Sequence, residues 1–527
     1  MSATAANSAT AARRASLGML LALLPILALA VYYFASAPTN GDFWWYDASR
    51  HAMNGVFLRD FVMEGGLTNP IGFAKAYYEK YPGINIGFYP PFFYLSSVPL
   101  LLVFGASHAV SQAAVVLYAL GLGIVVLLLC RRVMDDLTAG ATAVCVLALA
   151  PISLWSRQVQ LDVPALAIFA FAAYALLRHL DAGRQRWLFI AAAALGLGVL
   201  TRVQGVFLAP VWLYFVFIRN YPGRPPFMRR VLATLLAGLI ALPAVAMAVY
   251  FAKTNQALTT AMPGMPALWS VENWTWYAQK LPSQLSWPGV VVLVAGLAAA
   301  VRLAVRGNAG LDLRVIAACG ICAWLFFTIV SNKDPRFNLP GMLFLFLLAV
   351  CALARVQATA ARVILPLLAV WFVVQLQMQP RVPYVQGFEQ AAAKVAEVAP
   401  PSSNVLVSAH RDGNFIYDLR TQVARRDIGV RRADKLLVEI NILRELGVRE
   451  SGLDPQQILA LLDKQHVETV VFQDGYLNDL RSIQNLQTLL EHSGAFVKVA
   501  TVPMLGKTDP SERQLVIYRR QHQGASS

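Results

Sequence analysis

Charged residues are what this chain has least of. They make up 14% of its 527 residues, while 57% are hydrophobic, and soluble globular chains carry about 25% charge. A mean hydropathy of +0.54 excludes an ordinary soluble domain and places most of the chain in a bilayer. Cysteine is also scarce. Cys130, Cys145, Cys319, Cys322 and Cys351 all fall in apolar stretches, and the polar C-terminal part has none, which excludes a disulfide framework there. Cys319 and Cys322 form a CxxC, but inside an apolar helix, where small packing residues are the better reading than a redox or metal pair. The C-terminal part also lacks a glycine-rich phosphate loop and any metal-ligand spacing. A net charge of +15 could suggest nucleic acid. The excess lies instead in short loops between hydrophobic runs, where the positive-inside rule puts it, so no nucleic-acid partner is expected.

What the sequence does have is long apolar runs. A helix needs about 20 apolar residues to cross the roughly 30 Å hydrocarbon core. Candidate spans lie near 16–36, 109–130, 139–156, 162–179, 187–200, 203–218, 231–252, 288–305, 312–330, 338–354 and 361–378, about eleven in all. Thr201, Arg202 and Gln204 interrupt the run 187–218 and read as a tight hairpin. Arg13-Arg14 ahead of an apolar run, with Ala35-Ser36-Ala37 behind it, resembles a signal peptide. The run is long for one, so an uncleaved first span is expected. The stretch from Pro91 to Ala106 is apolar but short, and Pro99 interrupts it; it reads as an interfacial or re-entrant helix. With that choice Arg131-Arg132, the loops Arg178–Arg186 and Arg219–Arg230, Arg302/Arg306 and Arg355/Arg362 all share the side of Arg13-Arg14. The opposite, outer side then receives residues 37–108, the turn 157–162, the hairpin at Arg202, loop 253–287, Ser331–Arg336 and everything after 380. Residues 404–408, 468–472, 496–499 and 514–518 read as strands, and 455–464 and 480–492 as amphipathic helices. The expected architecture is a polytopic α-helical membrane domain over 1–380 and a soluble α/β domain over 381–527.

The outer side holds the candidate chemistry. Its first loop, 37–108, is long enough to be functional. Asp47 stands at the start of a helical pattern that stops at Gly65-Gly66, with Arg50 and His51 one turn on. Asp47 reads either as an N-cap or as an active-site acid; Asp42 is a weaker candidate for the same work. Phe88-Tyr89-Pro90-Pro91-Phe92-Phe93-Tyr94 reads as an aromatic belt or as a wall for a sugar or isoprenoid chain. Asp162, followed by Val163-Pro164, is a second acid at a helix start, and Arg157 could pair with it. Lys333 and Arg336 run against the charge bias of the outer side. They call for an anion, either Asp334, lipid headgroups or a phosphate, which Arg grips by a fork and Lys as a point charge; Arg202 could join them. The tryptophans of 253–287 read as interfacial anchors or sugar contacts.

In this order the pieces resemble the GT-C superfamily of integral membrane glycosyltransferases, in the bacterial branch of lipid A aminoarabinose transferase and relatives of protein O-mannosyltransferases. The likeness covers roughly residues 10–380. It rests on Asp47, Pro90-Pro91, Leu161 to Pro164, Gly198 to Arg202, and Lys333 to Pro340. It implies an inverting transfer of sugar from a polyprenyl-phosphate donor to a lipid, glycan or protein acceptor outside the cytoplasm. Asp47 would be the general base or the acid nearest the acceptor, and Asp162 the second outer-face acid. Lys333 and Arg336, with Arg202, would hold the donor phosphate. Asp42, Arg50, His51, Tyr89 and Arg157 would line the substrates. The expected place is a bacterial inner membrane, with the site and the C-terminal domain facing the periplasm. The family often has Asp-Glu where this chain has Asp47-Ala48, and some members carry an acid where it has Phe88-Tyr89; Glu79 is a candidate substitute. Two carboxylates on one face could also hold a divalent metal, with His51 as a third ligand. The rival reading is a transporter or flippase. Its charges would sit at mid-membrane on broken helices, often with an internal repeat; here they sit at span ends, and no repeat is visible.

Overall fold

Runs of Leu, Ala and Val become helices because lipid offers no partner to a backbone N–H, so each segment must satisfy its own. The computed structural model describes residues 2–261, 265–330, 332–440, 444–506 and 512–521. The membrane part contains α1 (Ser2–Ser36), α2 (Tyr46–Met63), α3 (Pro70–Lys80), α4 (Phe92–Phe104), α5 (His108–Cys130), α6 (Asp136–Ala148), α7 (Ala150–Ser156), α8 (Asp162–Ala182) and α9 (Gln185–Thr201). It continues through α10 (Ala209–Leu213), α11 (Phe227–Tyr250), α12 (Ala252–Ala261), α13 (Val271–Val305), α14 (Leu311–Ile329), α15 (Leu339–Val356) and α16 (Ala358–Met378).

Among the described residues eight helices are long and apolar enough to cross a membrane. A ninth crossing is reached if α6 and α7 count as one span bent by 70°. The bend follows Leu149, where Pro151 enters the first turn of α7 and cannot continue the ladder of α6. The remaining two of the eleven expected spans are short. α9 ends at Thr201, Arg202 is extended (φ −150°, ψ 116°), and 203–218 is built from 3-10, α and π turns in succession. α13 carries a kink at Ser286 (φ 54°) between Pro282 and Pro288.

Ion pairs gather the basic loops on one face. Arg132 pairs with Asp181 at 2.6 Å and with Asp312, Arg355 with Asp312 at 3.2 Å, and Arg362 with Asp135 at 2.9 Å. The opposite face is closed by the first loop returning on itself: His108, at the start of α5, approaches the Gly41 carbonyl through Nδ1 at 2.7 Å. α4 therefore leaves and rejoins the same face. At 13 residues it would span only about 20 Å. The five cysteines are free; Cys319 is buried and Cys322 half-buried on α14.

Beyond α16 come α17 (Phe388–Val398), α18 (Asp412–Thr421), α19 (Ala433–Leu436), α20 (Pro455–Lys464) and α21 (Arg481–His492) around a five-stranded sheet. Its strands are β1 (Asn404–Ser408), β2 (Gly429–Arg432), β3 (Val467–Gln473), β4 (Phe496–Pro503) and β5 (Gln514–Arg520), in the order β2-β1-β3-β5-β4. β2, β1 and β3 run parallel, with Val405 opposite Val430 and Thr469; β5 is antiparallel to β3 and β4. α18 seats this layer on the first outer loop. Asn414 brackets Phe43, accepting from its N–H and donating to its carbonyl, both at 3.0 Å. Gly413 lets the helices close, since a Cβ there would lie 2.5 Å from Ser49 Oγ.

Candidate active site

The site forms where the first turns of α2 and α8 meet the break after α9 and the loop before α15. Asp47 lies in the first turn of α2, whose cap is Trp45 rather than Asp47 itself. The helix end still favours its negative charge. Its Oδ2 accepts from the Tyr89 hydroxyl at 3.3 Å, so the Phe88-Tyr89-Pro90-Pro91 turn is what faces it. Asp162 opens α8 and is buried. Arg202 donates to its Oδ1, and Arg336 Nη1 stands 4.0 Å from its Oδ2. Both of its oxygens thus face guanidinium groups.

Arg336 is boxed by aromatic rings, 4.8 Å from Trp45, 5.2 Å from Trp155 and 5.4 Å from Phe337. Trp45 and Trp155 meet edge to face at 5.2 Å. Arg202 stacks on the other contact of Phe337 at 5.3 Å. Arg336 Nε is 3.2 Å from the Asp334 carboxylate, but its N–H has no hydrogen-bond acceptor there. Beside it, Asn338 is buried with neither amide atom bonded. Buried polar groups left open in this way are normally satisfied by something.

His51 is buried under this cluster, its Nδ1 2.7 Å from the Tyr94 hydroxyl and its ring edge-on to Tyr89 at 4.8 Å. Burial pushes its pKa down to about 4; Asp47 and Asp162 oppose that, while Arg336 and Arg202 reinforce it. A neutral imidazole results at physiological pH. Among the described residues no three His, Cys, Asp or Glu side chains converge as metal ligands. Asp162 is committed to arginines, so the residues present do not suit a resident cation and no step below uses one.

Other candidates land elsewhere. Lys333 is buried and donates to the Phe327 and Thr328 carbonyls at 2.9 and 2.6 Å. It closes the end of α14 and has no ion pair among the described residues; burial pushes its pKa down to about 8. Asp42 accepts from the backbone of Phe388 at 2.8 Å and Glu389 at 3.3 Å, fastening α17 rather than facing the cluster. Arg50 pairs with Asp412 of α18 at 3.1 Å. Arg157 turns to Ser153 and Tyr32. Glu79 is exposed on α3, and its carbonyl serves Arg431. Ser331 is outside the described residues. Trp155 was missed from the sequence; its only signal was its place two residues ahead of Arg157 at a span end.

A family model for dolichyl-phosphate-mannose-protein mannosyltransferase matches residues 89–251. No curated protein matches in sequence. Among solved structures, ArnT from Cupriavidus metallidurans bound to undecaprenyl phosphate is similar at 17% identity and a TM-score of 0.62, over 94% of this chain and 97% of that one. Its apo form gives 16% and 0.60, over 96% and 98%. The arabinofuranosyltransferase AftD from Mycobacteria gives 14% and 0.51, over 97% of this chain and 40% of that one. The family model and the whole-length fold point the same way: residues 89–251 resemble the dolichyl-phosphate-mannose-protein mannosyltransferases, and the chain has the fold of ArnT.

Proposed function

We propose that the chain transfers a sugar, with inversion, from a polyprenyl-phosphate donor to an acceptor outside the cytoplasm, using the cluster of Asp47, Asp162, Arg202 and Arg336. The observation that carries this is the helix-start carboxylate of Asp162 facing Arg202 and Arg336 on the loop face of the bundle, with an Arg336 N–H that has no acceptor and a second helix-start carboxylate, Asp47, held by Tyr89. The ArnT relative bound to undecaprenyl phosphate supports the lipid donor. Asp47 takes the proton of the acceptor hydroxyl as its oxygen bonds to the sugar's anomeric carbon. The bond from that carbon to the phosphate oxygen breaks, and the leaving polyprenyl phosphate gains charge. Arg336 and Arg202 stabilise that growing charge more than the single charge of the donor phosphodiester. Asp162 holds the two arginines in place, and neutral His51 orients Tyr94 without competing for the proton. Residues 1–380 form the catalytic membrane domain and 381–527 the periplasmic domain, in a bacterial inner membrane.

The test is sugar transfer by purified full-length protein in detergent, supplied with synthetic polyprenyl-phosphate sugars. Asp47→Asn is expected to lower turnover by roughly 10²- to 10⁴-fold while donor binding is kept. Normal turnover in that variant would remove Asp47 from the reaction. A chelator is expected to leave the wild-type rate unchanged; a lost rate would overturn the commitment of Asp162 to the arginines.

A further inference from the structure

A cavity of about 540 Å³ lies away from the cluster, between the loop-face ends of α1 and α16 and the turn after α7. Arg157 forms its inner wall. That side chain is 5% exposed, with Nε on the Ser153 carbonyl at 3.1 Å and Nη2 on the Ser153 hydroxyl at 2.8 Å. Its guanidinium lies 5.8 Å from the Tyr32 ring. Among the described residues it has no ion pair with a carboxylate, unlike Arg202 and Arg336 in the neighbouring cluster. Its titratable neighbours, Tyr32 and Tyr33, are neutral phenols. A buried cation is normally paired.

The rest of the wall suits an anion. Arg381 stands on the exposed rim, Asn40, Gln379 and Gln386 offer amide donors, and no Asp or Glu lines the cavity. The position suits a lipid. α1 and α16 both pack on α6, and most of each span is exposed to the surroundings of the bundle. The cavity opens where their loop-face ends reach headgroup depth. Trp155, two residues before Arg157, turns the other way onto Arg336, so the two cation sites lie on opposite sides of one turn.

We propose that this cavity binds the phosphate headgroup of an anionic membrane lipid, gripped by Arg157 from within and Arg381 at the rim, with the acyl chains along the flank of α1 and α16. The inference is independent of the transfer chemistry. It is tested by native mass spectrometry of the full chain loaded with phosphatidylglycerol or with phosphatidylcholine, as wild type, Arg157→Gln, Arg381→Gln and the opposite-face control Arg302→Gln. Phosphatidylglycerol is expected to be retained by the wild type and the control. Retention should fall about tenfold in Arg157→Gln, as for a lost hydrogen-bonded charge, and by less in Arg381→Gln. Equal retention in wild type and both cavity variants would overturn the site. Arg381→Gln alters only the exposed rim and keeps the test readable should Arg157→Gln fail to fold. A parallel arm adds inorganic phosphate. Lipid that stays bound supports the headgroup, whereas displacement by phosphate alone would overturn the lipid source and leave a phosphate site.

Discussion

Arg336 shows how much of a site lies in what surrounds a charge. Its guanidinium is framed by Trp45, Trp155 and Phe337, planar faces that suit a planar cation and orient its fork toward Asp162. Lysine would keep the charge and lose both the stacking and the fork. Arg336→Lys is therefore expected to weaken donor binding by roughly 10-fold or more with a smaller effect on turnover of bound donor. Titration of a polyprenyl phosphate analogue checks this, and unchanged affinity would take Arg336 out of the phosphate contact. At this scale the sequence was informative about residue types and poor about company. Asp47 and Asp162 could be named as candidates from their helix starts on the outer side, and Arg336, with Arg202, from positive charge placed against the bias of that side. Lys333, three residues before Arg336 in the same motif, could not be told apart from it by sequence. The structure turns it onto the last carbonyls of α14, a choice made by the direction of one loop.

α18 was not legible as an element, and the reason is physical. Its sequence Asp412-Gly413-Asn414-Phe415-Ile416-Tyr417-Asp418-Leu419-Arg420-Thr421 has no single apolar stripe, because it is buried nearly all round. Its polar residues are satisfied by the first loop, over 300 residues away in sequence: Asn414 by Phe43, Arg420 by Asp60 at 2.6 Å and Glu64 at 2.8 Å. β2 was missed for a like reason, since Arg431 and Arg432 look exposed until Asp412 and Asp434 pair with Arg432 at 2.5 and 2.8 Å. Removing Arg420 would leave Asp60 buried with only Arg59 and Tyr77. Arg420→Ala is expected to cost roughly 3 kcal/mol, seen as a lower midpoint in thermal unfolding.

The same joint carries a pH response. Asp42 and Asp418 are buried and hydrogen-bonded to each other, with Glu389 nearby; burial first, then the partner's charge, raises Asp418 well above the carboxylate range, and burial pushes Asp42 up to about 6. Raised folded-state values mean the folded joint holds a proton that the unfolded chain releases near pH 4. The stabilisation is complete below that value and is lost as pH rises through about 6. Thermal stability should therefore fall from pH 5 to pH 8. Asp418→Asn, which keeps a donor and drops the charge, should flatten that fall and raise the midpoint at pH 8 by about 2 °C or more. A wild-type midpoint that climbs over the same range would refute the shared proton.

For the whole molecule, hydropathy and loop charge were enough to place the long spans and to keep α4 from crossing, because a bilayer imposes both rules on every segment. The least regular of the expected spans are the two flanking Arg202, where α9 ends and 203–218 runs through 3-10, α and π turns. The two faces make opposite claims on a probe. Asn478 is exposed in the C-terminal domain and Asn308 in the turn between α13 and α14. In intact cells a membrane-impermeant maleimide is expected to label Asn478→Cys and to spare Asn308→Cys until the membrane is opened; the reverse pattern would invert the topology.

The bracket of Asn414 on Phe43 joins residues 371 positions apart. During synthesis, the loop carrying Asp47 emerges early and has to wait, with Phe43 unbracketed and Asp60 lacking Arg420, until α18 has been made. Completion of the chain is thus what fixes its first loop: a chain interrupted before α18 would hold every apolar span and still leave Phe43 and Asp60 without the partners that Asn414 and Arg420 supply.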